Sequence, residues 1–165
     1  MEEADQQGYY GVLIPGRKIP EYVFMVEKKG KRREVPDAYA MDSLIDGMDM
    51  EKFINGCHDT IYDKLGAHPM TRDGAEGTYF AVWAPNARAV SVVGDFNQWR
   101  EDAHPMIKRE PAGIYELFVP GVGKGDLYKF SIYQSTGNRV LKADPFANYA
   151  ELRPATALSL IHISE

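Results

Sequence analysis

The chain has 165 residues and a formal net charge of −5, with 44% hydrophobic, 12% aromatic and 26% charged residues, the composition of an ordinary globular chain. Its acidic balance gives no electrostatic footing for nucleic acid or an anionic membrane, and no apolar run approaches the ~20 residues needed to span a bilayer. The acidic start, Met1-Glu2-Glu3, is opposite to a signal peptide's n-region, and the single cysteine, Cys57, excludes an internal disulfide and fits a reducing compartment, so a cytoplasmic protein is expected.

Residues 10–14 read as a strand closed by Pro15-Gly16, and residues 22–26 as a second. The second reaches a basic tip, Lys28-Lys29-Gly30-Lys31, and returns through Glu34-Val35. The tip lacks the aromatics and the wider positive field of a nucleic-acid patch. Two or three strands cannot stand alone. Between residues 41 and 66 the pattern turns to short helical pieces: Asp49 is the expected cap of a helix over 50–54, stopped by Asn55-Gly56. A further turn over 58–65 is expected to put Ile61, Tyr62 and Leu65 on one face, while Asp59 and Asp63 read as solvated.

From Gly77 onward the β signal is dense. Strands are expected over 78–84, 89–96, 114–119 and 127–133, with a return through Val140-Leu141 after the Gly137-Asn138 turn. Short strands about ten residues apart, punctuated by Gly, Pro and Asn, predict an all-β sandwich. Residues 127–133 alternate, with Tyr128, Phe130 and Ile132 facing the core and Lys129, Ser131 and Tyr133 facing out. The 89–96 strand delivers Gly94-Asp95-Phe96-Asn97-Gln98-Trp99 to a turn. Trp99 reads either as a corner folded back on the core or as a flat ring offered to a ligand with an apolar face and a polar rim, which describes a sugar.

The two β regions repeat. Residues 8–16, GYYGVLIPG, lie over residues 113–121, GIYELFVPG; Tyr22 and Phe24 lie over Tyr128 and Phe130; Asp37-Ala38-Tyr39-Ala40 lies over Asp144-Pro145-Phe146-Ala147. A repeat this long in one order predicts two tandem sandwiches, the first represented by its last strands. The expected division is 1–40 for the end of a truncated first sandwich, 41–66 for a short-helical linker and 67–157 for a complete immunoglobulin-like sandwich. Residues 158–165, LSLIHISE, resemble translated sequencing-adaptor read-through and are expected to be a non-native tail, with His162 of no functional weight.

Residues 62–157 resemble the amino-terminal module of bacterial 1,4-α-glucan (glycogen) branching enzymes. The matching pieces are YDKLGAH (62–68), FAVWAPNARAVSVVGDFNQW (80–99), HPM (104–106), GIYELFVPG (113–121), LYKFSI (127–132) and KADPFANYAELRPATA (142–157). The resemblance implies a family 48 carbohydrate-binding module, related to the glycogen-binding domain of the AMP-activated kinase β subunit. It implies glucan contact by the motif tryptophan and lysine, Trp99 and Lys129; Asn97 and Asn138, in the adjoining turns, are added as candidate glucan contacts. Where kinase-type modules carry a second stacking tryptophan, this chain has Gly137-Asn138-Arg139. The implied partners are α-1,4-glucan or glycogen and a (β/α)8 catalytic barrel that the chain lacks. That barrel supplies the aspartate and glutamate for retaining transfer to a 6-hydroxyl. No catalytic residue, cofactor or metal is assigned to the chain itself. A free-standing glycogen-binding regulator, a debranching relative and an adhesive sandwich are the alternatives.

Overall fold

Alternating apolar side chains along residues 75–134 build two sheets around one shared core. The computed structural model describes residues 2–3, 10–18, 20–147 and 158–159. In chain order it has β1 (Glu2–Glu3) and β2 (Tyr10–Gly11), which pair, then the hairpin of β3 (Phe24–Lys28) and β4 (Lys31–Val35), then the helix α1 (Gly47–Ile54). There follow β5 (Gly66–Arg72), β6 (Ala75–Trp83), β7 (Ala87–Gly94), β8 (Ile107–Arg109), β9 (Ile114–Pro120), β10 (Leu127–Gln134), β11 (Arg139–Lys142) and β12 (Leu158–Ser159).

One sheet runs β5-β6-β9-β8; in the other, β10 pairs β7 on one edge and β11 and β12 on the other, all antiparallel. Between the sheets Phe80, Val82, Tyr115, Leu117 and Val119 meet Val90, Val92, Tyr128 and Phe130 in one cluster. This is a β-sandwich, and period-two alternation decides which side chains enter it.

The first sheet is apolar on its other face as well. Tyr79, Ala81, Ile114 and Phe118 form a second cluster with Ile45 and Leu65, against which Met41, Leu44, Met50, Phe53 and Ile61 pack. The 41–65 stretch, expected as a connector, is therefore a third layer. Asp46 caps α1, not Asp49 as the spacing suggested: its Oδ1 accepts from Asp49 N at 2.7 Å, and the Asp49 carboxylate accepts from Asp46 N at 3.2 Å. Asp49 also holds His58 Nε2 at 2.9 Å and Lys64 Nζ at 3.2 Å, tying the helix to the following turn. Glu116, on the covered face of β9, accepts from Tyr79 Oη, from Arg109 Nε (both at 2.5 Å) and from Leu44 N at 3.3 Å. That carboxylate is buried and fully engaged, so the layer and the sheet are stitched by polar as well as apolar contact.

Four further expectations are corrected. Residues 12–14 are exposed and not strand, because among the described residues no sheet reaches them beyond the β1–β2 pair. Tyr62 is 56% exposed while Ile61 and Leu65 turn inward, since a single 3-10 turn at Ile61–Asp63 cannot carry three residues onto one face. Ser131, expected on the solvent side, is buried, 3% exposed. β5 and β8 were not expected at all; the Asp73-Gly74 dipeptide, with φ of 46° and 76°, is the hairpin turn that joins β5 to β6.

The sequence repeat has a structural counterpart. In the first hairpin Phe24, Met25, Val26 and Glu27 pair with Val35, Glu34, Arg33 and Arg32. In the second, Phe130, Ser131, Ile132 and Tyr133 pair with Lys142, Leu141, Val140 and Arg139, the same register at the repeat positions. Tyr22 Oη donates to Asp37 Oδ2, as Tyr128 Oη donates to Asp144 Oδ2 at 2.7 Å. Asp37 Oδ1 accepts from Tyr39 N and Asp144 Oδ1 from Phe146 N, each at 2.9 Å. The rings pack edge-on in both, Tyr22 on Phe24 at 5.6 Å and Tyr128 on Phe130 at 5.8 Å. The segments 148–157 and 160–165, which include the ELRPATA piece and His162, lie outside the described residues.

Candidate binding site

The predicted site residues lie on β10 and in the turns at its two ends. β7 ends at Gly94, opposite Tyr128 on β10. The approach is tight: a Cβ on Gly94 would come within 2.1 Å of the Leu127 carbonyl oxygen and 2.6 Å of the Phe96 ring, so no larger residue fits there. A 3-10 turn over Asp95–Asn97 follows, and Gln98 and Trp99 then take φ of 58° and 61°, the left-handed region that few side chains occupy.

Side chains of the motif hold this turn. Asn97 is buried: its Oδ1 accepts from Gly94 N, and its Nδ2 donates to the Val92 carbonyl and to His104 Nδ1, all at 2.9 Å. Asp95 Oδ1 accepts from Trp99 Nε1 at 3.0 Å and its Oδ2 from Leu127 N at 3.3 Å. The return of the loop is stitched to the free edge of β7, with Val92 N donating to the His104 carbonyl at 3.1 Å and Met106 N to the Val90 carbonyl at 2.8 Å. Arg139 on β11 reaches Glu101 at 2.6 Å, and its guanidinium lies 5.4 Å from the centre of the Tyr133 ring. The loop thus crosses the outer face toward β11.

The four predicted residues divide. Trp99 is 36% exposed at the rim, its N donating to the Gly94 carbonyl at 2.9 Å. Lys129 sits opposite Val93 on the same outer face, half-buried. Asn97 lies beneath the surface with every polar atom of its amide engaged within the fold, so its place is to hold the turn. Asn138 is exposed in the β10–β11 turn, at the other end of β10 from Gly94, its carbonyl accepting from Gln134 N at 2.8 Å. The sequence offers Asp95 as a turn residue but not its bonds to Trp99 and Leu127, and the only signal for His104 is its place just after the motif. Burial pushes the His104 imidazole below its ordinary pKa.

A flat ring edged by polar groups on a rigid sheet suits a pyranose, whose faces are apolar and whose rim is hydroxyl. Residues 64–147 match the model of carbohydrate-binding module 48, described as the isoamylase N-terminal domain. The chain belongs to the carbohydrate-binding module 48 family. It is also 42% identical over 161 residues to the 1,4-alpha-glucan branching enzyme GlgB 1 of Streptomyces coelicolor, an alignment that covers 98% of this chain and 21% of that relative. The chain therefore spans about a fifth of the length of that relative. Among solved structures it is similar to the apo pullulanase of Klebsiella pneumoniae (21% identity, TM-score 0.48, 59% of this chain and 11% of that one). It is likewise similar to the pullulanase of Bacillus acidopullulyticus (22% identity, TM-score 0.45, 59% and 12%).

Within the module a second exposed tryptophan lies apart from the first. Trp83, 54% exposed, donates from Nε1 to the Ala112 carbonyl at 3.0 Å and meets Phe53 edge-on at 5.7 Å. With Ile54, Pro85, Pro111 and Phe146 these two rings line an apolar groove of about 580 Å3. Among the described residues no group of His, Cys, Asp and Glu could hold a metal, and no helix is long and apolar enough to cross a membrane.

Proposed function

We propose that this chain is the glucan-holding, non-catalytic part of a longer 1,4-α-glucan branching enzyme, acting in the cytoplasm in glycogen biosynthesis. The parent enzyme transfers an α-1,4-linked segment to a 6-hydroxyl in a separate (β/α)8 barrel, where two carboxylates flank the scissile bond. The identity to the Streptomyces coelicolor enzyme supports the parent, and membership of the module family supports the role. The observation that carries the reading is the Trp99 ring, held at the rim of the sheet on whose outer face Lys129 stands. A pyranose stacks on the indole face while Lys129 donates to its hydroxyls; Asn138 adds an exposed amide farther along the same strand pair.

The matched hairpins support the tandem division, with residues 1–40 closing a first sandwich, 41–66 joining it to the second and 67–157 forming the complete module. A second reading, docking of the module on the catalytic barrel, is favoured by the Trp83 groove, whose lining offers a neighbouring domain apolar surface and almost no polar group.

Affinity electrophoresis of the full chain in gels containing glycogen tests the glucan reading. The parent is retarded, and Trp99→Ala and Lys129→Ala each lose most of that retardation while keeping native circular dichroism. Equal mobility of all three folded proteins with and without glycogen overturns it.

A further inference from the structure

The Trp99 ring is reached through two consecutive non-glycine residues with positive φ, a backbone course that persists only where its surroundings hold it. The backbone bonds present there close the turn: Gln98 N to the Asp95 carbonyl at 3.4 Å, Trp99 N to the Gly94 carbonyl at 2.9 Å and Arg100 N to the Asn97 carbonyl at 3.2 Å. None of them fixes the ring. The indole is fixed by the Asp95 carboxylate, which accepts from Trp99 Nε1 at 3.0 Å with one oxygen and from Leu127 N, at the head of β10, at 3.3 Å with the other. One exposed carboxylate thus joins the ring edge to the strand that carries Lys129 two residues later. With its N–H spent on Asp95, the indole has only its face left for a ligand.

We propose that Asp95 is the positioning residue of the glucan platform: it presets the Trp99 indole against β10, so that ring face and Lys129 are presented together before any sugar binds. The proposal rests on the glucan reading above. Its physical content is preorganisation: a ring already ordered does not lose rotamer freedom on binding, whereas an untethered one does. Asp95 acts through Trp99 and need not touch sugar.

The test uses the full chain as parent, Asp95→Ala, Asp95→Asn and Trp99→Ala, with glycogen retardation and the two indole N–H signals of a 1H–15N spectrum as readouts. Loss of one signal in Trp99→Ala assigns the other to Trp83. Asp95→Ala is expected to weaken glycogen retention about three- to tenfold, the range of one lost charge-assisted hydrogen bond at a solvated site. It is also expected to move the Trp99 indole signal upfield and speed its exchange while the Trp83 signal stays. Asp95→Asn keeps one acceptor oxygen, enough for the indole or for Leu127 N but not for both, and should fall between the parent and Asp95→Ala. Parent-like retention in Asp95→Ala overturns the proposal. Weakened retention with an unmoved Trp99 signal overturns it too, because Asp95 then contacts glucan directly. If the parent itself is not retarded by glycogen, the glucan reading is what fails. If the parent is retarded and Trp99→Ala keeps full retention, glucan binds away from the ring and the proposal falls. An unmoved indole signal in Asp95→Ala refutes the tether in either case.

Discussion

His104 lies under the motif turn with its Nδ1 facing the Asn97 amide nitrogen, and that contact dictates its protonation. The Asn97 carbonyl oxygen is taken by Gly94 N, so its amide nitrogen donates and His104 Nδ1 must accept. The ring is then neutral, with its proton on Nε2, and a second proton would set N–H against N–H. Burial acts in the same direction, holding the imidazole below its ordinary value. Above about pH 6.5 both folded and unfolded chains carry a neutral ring, and its contribution to stability is fully present. As pH falls the unfolded chain takes up the proton first, so that contribution drains away until the folded ring also protonates. Urea midpoints at pH 7.5 and 5.5 should therefore fall more for the parent than for His104→Gln, whose amide oxygen can accept the same Asn97 bond without titrating. The extra loss should stay under ~1 kcal/mol per pH unit, since the ring is partly open to solvent and screened. Identical pH dependence in the two proteins would refute the assignment.

At the scale of elements, the 41–65 layer shows how a stretch that looks like a connector becomes structural. β6 and β9 present apolar side chains on both faces, Phe80 and Leu117 to one core, Tyr79 and Phe118 to the other. A strand of this kind reads in sequence as a continuous apolar run, so nothing along it announces that its second face must be covered. Ile45 and Leu65, 3% and 2% exposed, are the residues that cover it, one on either side of α1. Ile45→Ala should cost about 2–4 kcal/mol in urea unfolding, the range for emptying a well-packed aliphatic site; a loss near zero would mean that the layer is loosely applied. Turn chemistry made most strands legible, because Pro85-Asn86, Pro120-Gly121 and Gly137-Asn138 punctuate them. β5 escaped because its pattern is interrupted by Pro69, a poor strand former that its pairing with β6 overrides. β8 is only three residues long and has no pattern to read. In the site, strand alternation was enough to set Lys129 on β10 opposite Val93, and the motif was enough to set Trp99 in the turn that follows β7. The inward turn of Asn97 and the tether from Asp95 to Leu127 depend on neighbours 5 and 32 residues away, which no local pattern reveals.

At the scale of the whole molecule, the same tyrosine–aspartate latch occurs twice in two environments, and the difference can be measured. In the complete sandwich Tyr128 and Asp144 are 1% and 5% exposed, and burial raises the pKa of both groups. The latch fastens the start of β10 to the segment leaving β11, and Asp144 also caps the turn through Phe146 N. In the first hairpin the equivalent Tyr22 is 44% exposed, beside Val23 and Met25, which are more exposed still. A hydrogen bond between groups in water exchanges for bonds to water at little net gain, whereas removing one partner of a buried pair strands the other. Tyr128→Phe leaves the buried Asp144 carboxyl one donor short and should cost about 1–3 kcal/mol. Tyr22→Phe, though it deletes the same bond at the repeat position, should leave the melting temperature of the chain unchanged. Thermal melts of the two variants beside the parent decide it. Equal losses would mean that the first hairpin is shielded from water to the same degree as the second. A loss confined to Tyr128→Phe would mean that the repeated latch stabilises the fold only where a second sheet closes over it.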